Sequence, residues 1–203
     1  DVPRPVVLTN THTRLRDVAL PEGWRWKEPD TELTQFAGGK TKKFAALYKP
    51  ADAGANILPA ERLLEVCFLT VENISVGLRT AEGTEWRNTT LTVGQNAVCY
   101  VNYSFAEALE QLESDSDYKN NVWFQKQKKE ILEAIGETTV WSSSKPDVVS
   151  VERTAGGARL TAKSVGSATV KAGIKLGSKT FSASVKLTVK EPEGLLTIKG
   201  VQN

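Results

Sequence analysis

The stretch KTFSASVKLTVK, residues 179–190 of this 203-residue chain, alternates apolar and polar side chains without a break. Phe181, Ala183, Val185, Leu187 and Val189 fall on one side, and Ser182, Ser184, Lys186 and Thr188 on the other. Successive side chains of a strand point to opposite faces, so this period of two specifies a strand with one face on a core and one in water. Such a strand is not stable alone. It needs paired neighbours and a second layer over its apolar face.

The neighbours can be read in the same way. TTLTVGQNAVCYVNYS (89–104) gives two short strands around a turn at Gly94. TTVWSSSKPDVVSVE (138–152) gives two more around Pro146, and ARLTAKSVGSATVKAG (158–173) another pair around Gly166. Towards the N-terminus, KKFAALYKP alternates over 42–50, ERLLEVCFLTVEN over 61–73 reads as a strand, and Pro21-Glu22-Gly23 and Gly38-Gly39 are turn chemistry. Many short strands separated by polar turns predict antiparallel sandwiches. At this length the chain divides into two modules, residues 1–73 and 74–203, with a stiff junction because no flexible linker is visible.

One region breaks the period. Between Tyr103 and Thr138 the spacing becomes helical. Ser104-Phe105-Ala106-Glu107 has the pattern of a capping box, with Phe105, Leu109 and Leu112 following on one face. SDSD at 114–117 ends that helix, and a second runs from about Asn120 to Ile135, with Gly136 placed as its C-terminal cap. The result is a helical hairpin inserted at about 104–136. Phe124, Ile131, Leu132 and Ile135 form a stripe for packing on the sandwich. Trp123 stands about 100° around the helix from Phe124 and so lies at the margin of that stripe. With Tyr118, Lys119, Lys126 and Gln127 it makes a set of aromatic and long polar side chains of the kind that protein interfaces use.

Composition argues against several classes of function. A net charge of +2 supplies no strong field for nucleic acid. No apolar run is long enough to span a membrane. The single histidine, His12, lies in an irregular stretch, so a His-dependent catalytic site has little to build on. No His/Cys cluster has metal spacing, and no cofactor motif is present. Asp115 and Asp117 are better read as a polar helix–helix turn than as calcium ligands, because the loop lacks the glycine and distal glutamate of a helix-loop-helix site. Glu82 and Glu85 are better read as solvated charges than as a glycosidase pair. Trp24 and Trp26 share a strand face, where core filling is favoured over a sugar platform. Cys67 and Cys99 each lie in an apolar strand: they are either two buried thiols or one disulfide between neighbouring strands. The chain starts at Asp1 and has no methionine, which points to a processed chain or a fragment of a larger multidomain protein.

TTVWSSSKPDVVSV, the turn KSVGSATVKA and the final SASVKLTV together resemble the bacterial immunoglobulin-like domain of group 2, over roughly residues 74–190. The sequence departs from that family in the thirty or so helical residues before the Trp-Ser-Ser strand. Leu20, Pro21, Gly23, Trp24 and Trp26, followed by Ala46, Tyr48, Pro50 and Asp52, are similar to small Ig-like repeats in surface proteins of Gram-positive gut bacteria. The resemblances imply two Ig-like sandwich modules, an extracellular and cell-wall-associated setting, and no enzymatic activity. They imply a binding role towards a host protein, with immunoglobulin the most specific candidate, or a host glycan. The alternatives are a structural spacer, and an accessory carbohydrate-binding module that uses Trp24 and Trp26.

Overall fold

The computed structural model describes residues 2–33, 36, 41–105 and 112–194. The chain is mainly β, with a small helical insertion, and divides into two compact units.

Unit one comprises Asp1–Ile74, Tyr103–Thr138 and Lys175–Phe181. Its sheet is built from β1 (Val6–Leu8), β2 (Trp24–Trp26), β3 (Thr41–Tyr48) and β4 (Ala60–Leu69), in the order β1-β4-β3-β2. β3 and β4 pair antiparallel from Thr41↔Cys67 to Tyr48↔Ala60, whereas β1 pairs parallel to β4 with Val6 opposite Cys67. One face carries Val7, Phe44, Leu64, Val66 and Phe68, closed over by Leu15, Val18, Trp26 and Leu33. Alternation sends Val6, Leu8, Cys67 and Leu69 to the opposite face, and these are buried as well. A strand as uniformly apolar as β1 has to be covered on both sides.

The second cover is helical. A single turn, α1 (Ser116–Lys119), precedes α2 (Val122–Glu137), and α2 packs on β1. Asp115 caps α1 by accepting from the Asp117 N–H. The Asn121 side chain does the same for α2 through the Phe124 N–H at 2.9 Å, satisfying one of the amide groups that a helix start leaves without a partner. Phe124 and Ile135 are the fully buried apolar side chains of α2, and Ile131 and Leu132 are half-buried. Burial of Phe124 alone contributes about 1.5–3 kcal/mol.

Three expectations are corrected here. Ser104 and Phe105 end a strand and do not start a helix; Glu107 and Leu109, like Gly38-Gly39, lie outside the described residues. Gly136 sits inside α2, which continues to a cap at Thr138. The helices, expected to enlarge the core of the sandwich that they interrupt in sequence, belong to unit one and cover β1.

Unit two comprises Ser75–Asn102, Thr139–Ile174 and Ser182–Asn203. It holds β6 (Thr90–Thr92), β8 (Val140–Ser143), β9 (Val149–Thr154) and β10 (Gly157–Ala162). It also holds the larger parts of β5 (Val71–Arg79), β7 (Asn96–Phe105), β11 (Gly166–Leu176) and β12 (Lys179–Lys190). One sheet has the order β5-β7-β10-β9, and the other β6-β12-β11-β8. Lettering β5, β7, β8, β9, β10, β11 and β12 as A to G gives A-B-E-D facing C-F-G, with β6 parallel to the last strand. That is the immunoglobulin strand order. The two sheets enclose Leu91, Ala97, Cys99, Leu160, Val170, Leu187 and Val189, and Trp141 of β8 packs against this core.

Candidate binding surfaces

The five residues expected to form a partner-binding set on the helices separate into two groups. Tyr118 is 3% exposed, with its ring edge-on to Phe124 at 5.2 Å and the Arg4 guanidinium 4.5 Å from its centroid. Burial, then the neighbouring Glu65 carboxylate, pushes the Tyr118 phenol above its ordinary range. Its hydroxyl makes no hydrogen bond of ordinary geometry, although Glu65 and Arg4 are close enough to act on its charge. Gln127 is 6% exposed. Its Oε1 accepts from the Val6 N–H at 2.9 Å and its Nε2 donates to the Ala19 carbonyl at 3.0 Å, so it closes the open edge of β1. Tyr118 and Gln127 therefore hold the helices in place and are not available as interface anchors, which corrects the expected set.

The other three keep an outward aspect. Lys119 and Lys126 are exposed, and the Lys126 ammonium lies 5.5 Å from the Trp123 ring centroid. Trp123 is half-buried, with its indole N–H turned inward and unpaired. Beside it Val122 is 74% exposed. The helix start that carries them is anchored by Arg4, which pairs with Glu65 at 2.7 Å and Asp117 at 2.8 Å, and by the Asn121 amide on the Val2 carbonyl.

A second surface in unit one received no weight in the sequence. Leu58 is 87% exposed, Leu63 63% and Ile57 56%. Ile57, Leu58 and Pro59 line an open cleft of about 440 Å³ together with Trp24, Arg25, Leu47 and Lys49. Trp24 stacks on Tyr48 at 4.7 Å, with the rings inclined by 36°. Gly23 makes this arrangement possible: its φ is +83°, and a Cβ there would come within 2.7 Å of the Lys49 carbonyl. Register places Leu47 and Leu63 on the face of β3 and β4 opposite to the one that carries Trp24, Tyr48 and Phe44, so Leu63 stands apart from the stacked pair. Isolated exposed leucines are ordinary, but Ile57 and Leu58 together beside a stacked aromatic pair form a patch. The signal was available in ANILPA (55–60), where two large apolar residues stand in the loop before β4.

The remaining expected groups are placed as follows. Cys67 and Cys99 are both free, buried thiols, in the sheets of unit one and unit two respectively, which corrects the disulfide alternative. Burial pushes each thiol up to about 12, where it is a poor nucleophile. Trp26 is buried and donates its indole N–H to the Val18 carbonyl at 3.0 Å, so it cannot join Trp24 in a sugar platform. His12 contacts the Thr11 hydroxyl and the Leu8 carbonyl. Asp115 is used as a helix cap and Asp117 as a partner of Arg4, and among the described residues no three potential ligands are grouped for a metal. Glu82 and Glu85 line an open cleft of about 680 Å³ with Trp86. A hydrogen bond from Thr80 lowers the Glu82 carboxyl, the opposite of what a general acid requires. Among the described residues no helix is long and apolar enough to cross a membrane.

No family profile matches the chain, and no curated protein matches it in sequence. It is similar in structure to the C-terminal 282-residue fragment of intimin, solved with the intimin-binding domain of its translocated receptor. That match has 11% identity and a TM-score of 0.35, and covers 92% of this chain and 62% of the fragment. Domains 4 and 5 of the S-layer protein SbsC match with 14% identity and a TM-score of 0.33, over 90% of this chain and 72% of that one. The ectodomain of mouse nectin-like molecule 4 matches with 10% identity and a TM-score of 0.32, over 85% of this chain and 55% of that one. The chain thus spans less than two thirds of the intimin fragment. The immunoglobulin-like assignment rests on the strand order of unit two.

Proposed function

We propose that this chain is a non-enzymatic binding module of an extracellular bacterial surface protein and that it docks a host protein through the apolar cleft around Ile57, Leu58 and Trp24 in unit one. The observation that carries this reading is the open cleft in which exposed Ile57 and Leu58 lie with Trp24, itself stacked on Tyr48. Desolvated aliphatic and aromatic anchors inside a polar rim supply most of the energy at protein interfaces. Arg25 and Lys49 provide that rim, setting orientation and association rate more than affinity. In the same proposal residues 1–73 and 74–203 are two surface modules, the second of the group 2 bacterial immunoglobulin-like type, interrupted in sequence at about 104–136 by the segment whose helices belong to unit one. Gut commensal origin and a cell-wall setting follow from the motif resemblances, and immunoglobulin is the partner to test first.

Replacing Leu58 by Glu tests the cleft directly. A side chain this exposed contributes little to folding, so the variant keeps its melting temperature. Binding to immobilised host immunoglobulin, read by surface plasmon resonance, is expected to weaken by a factor of roughly ten to a hundred, as for loss of a buried anchor. Undiminished binding by the variant moves the site elsewhere. The second reading then applies, favoured by the exposed Val122 and the Trp123–Lys126 contact, and Trp123→Ala with Lys126→Ala should abolish capture. A wild-type fragment that captures neither immunoglobulin nor other proteins of mucosal secretions supports the spacer reading.

A further inference from the structure

We propose that the outward face of the β6-β12-β11-β8 sheet in unit two is a docking face for a sulfated polysaccharide. Alternation turns Lys186, Lys190, Ser184 and Thr188 of β12, Lys171 of β11 and Ser142 of β8 to this side, opposite the buried Leu187, Val189, Val170 and Ala172. The three lysines are exposed, and none of their ammonium groups takes part in an ion pair or hydrogen bond among the described residues. The outward positions of these four strands carry no carboxylate at all. The whole chain has 26 basic and 24 acidic residues, so an acid-free face departs from its own average. The other sheet of unit two shows the ordinary arrangement: Arg159 stands opposite Glu152 in register, and Arg79 lies over the Tyr100 ring.

The lysines are not edge protection. β11 and β12 are the two inner strands of their sheet, whereas charges that guard against aggregation belong on edges. Lys186 and Lys190 are four residues apart, about 13 Å along the strand, with seryl and threonyl hydroxyls nearby on the same face. Point charges at intervals on a flat hydroxyl-bearing surface suit an extended polyanion whose sulfates recur along its length. Single-stranded nucleic acid would call for outward aromatics to stack its bases, and β8 turns its Trp141 inward. A lipid surface would call for apolar anchors, and Val140 is the one apolar side chain at the outward positions of these strands. This face and its ligand are separate from the protein-docking cleft of unit one.

Heparin serves as the probe, with affinity measured at about 0.15 M NaCl, where exposed charges more than about 8 Å apart are largely screened. Wild type is expected to bind, more weakly as salt rises. The triple variant Lys171→Glu/Lys186→Glu/Lys190→Glu is expected to lose roughly tenfold or more, against little change in Lys43→Glu/Lys129→Glu/Lys163→Glu, which alters net charge equally. A corresponding triple change to Gln, with its melting temperature checked, covers the case in which charge reversal disturbs folding. Equal loss in both charge-reversed variants overturns the proposal, because binding then follows net charge. So does absence of heparin binding, or equally tight binding of poly(dT) or of anionic phosphatidylserine vesicles under the same conditions.

Discussion

β12 of unit two and β1 of unit one solve the same problem in opposite ways. In β12 the core residues Leu187 and Val189 alternate with Lys186, Thr188 and Lys190, and one apolar layer suffices. In β1 every residue, Val6, Val7 and Leu8, is buried. Its second face is covered by a helix that starts more than a hundred residues later, and its open edge is closed by a glutamine from that helix. A strand of the first kind announces its partners through its period. A strand of the second kind shows only that something must cover it. The chain therefore carries a local β signal in unit two and a long-range helix-on-sheet contact in unit one.

The largest expected effect tests whether that contact is structural. Phe124→Ala removes a fully buried ring from α2 and leaves a cavity, and should destabilise unit one by about 3–5 kcal/mol. Trp123→Ala, one position away but half-buried, should cost much less, about 1 kcal/mol, a typical value for a point substitution. Urea unfolding of both variants gives the comparison. Equal losses would mean that both faces of the helix are packed, removing the basis for an outward margin at Trp123.

A smaller effect is expected at the edge. Gln127→Ala leaves the Val6 N–H and the Ala19 carbonyl without their partner, at a cost of about 1–3 kcal/mol. Amide hydrogen exchange at Val6 should accelerate in step with the loss of stability. A protected Val6 amide in the variant would show that another group closes the edge of β1.

What could be read from sequence follows the same division. The alternation of 179–190, the turns at Gly94 and Gly166 and the Trp-Ser-Ser strand led to the sandwich because each signal is contained in a few neighbouring residues. The helix from Val122 was legible through its 3.6-residue period. Its destination was not, because amphipathicity says that a face is buried without saying against what. The same gap explains the errors at the candidate site. Gln127 looked like a surface group because glutamine usually is one, and only the exposed amide edge of β1 makes it worth burying. Tyr118 looked like an anchor, but its ring is sandwiched between Arg4 and Phe124, two residues far apart in sequence. Ile57 and Leu58 lie in the loop before β4, where no period shows whether an apolar side chain is buried or exposed.

The smallest effect concerns pH. Glu65 accepts hydrogen bonds from Arg4 at 2.7 Å and Thr41 at 3.0 Å in unit one. Burial pushes its carboxyl upward, but the nearby Tyr118 hydroxyl, Thr41 and the Arg4 charge outweigh burial and hold it below its ordinary 4.5. A carboxylate whose folded-state value is depressed contributes stability that is fully present above the unfolded value and is lost as pH falls through the folded one. Glu65→Gln should therefore leave the protein slightly less stable at neutral pH, by under about 1 kcal/mol because both partners are partly solvated. The difference from wild type should shrink towards zero as pH drops below about 4.5, the ordinary carboxylate value. Urea midpoints at pH 7 and near pH 3 measure it. A difference that stays constant with pH would mean that the Arg4–Glu65–Asp117 cluster acts through packing and not charge, and that the N-terminal segment is held to α1 by contacts of the same apolar kind that hold β1 to α2.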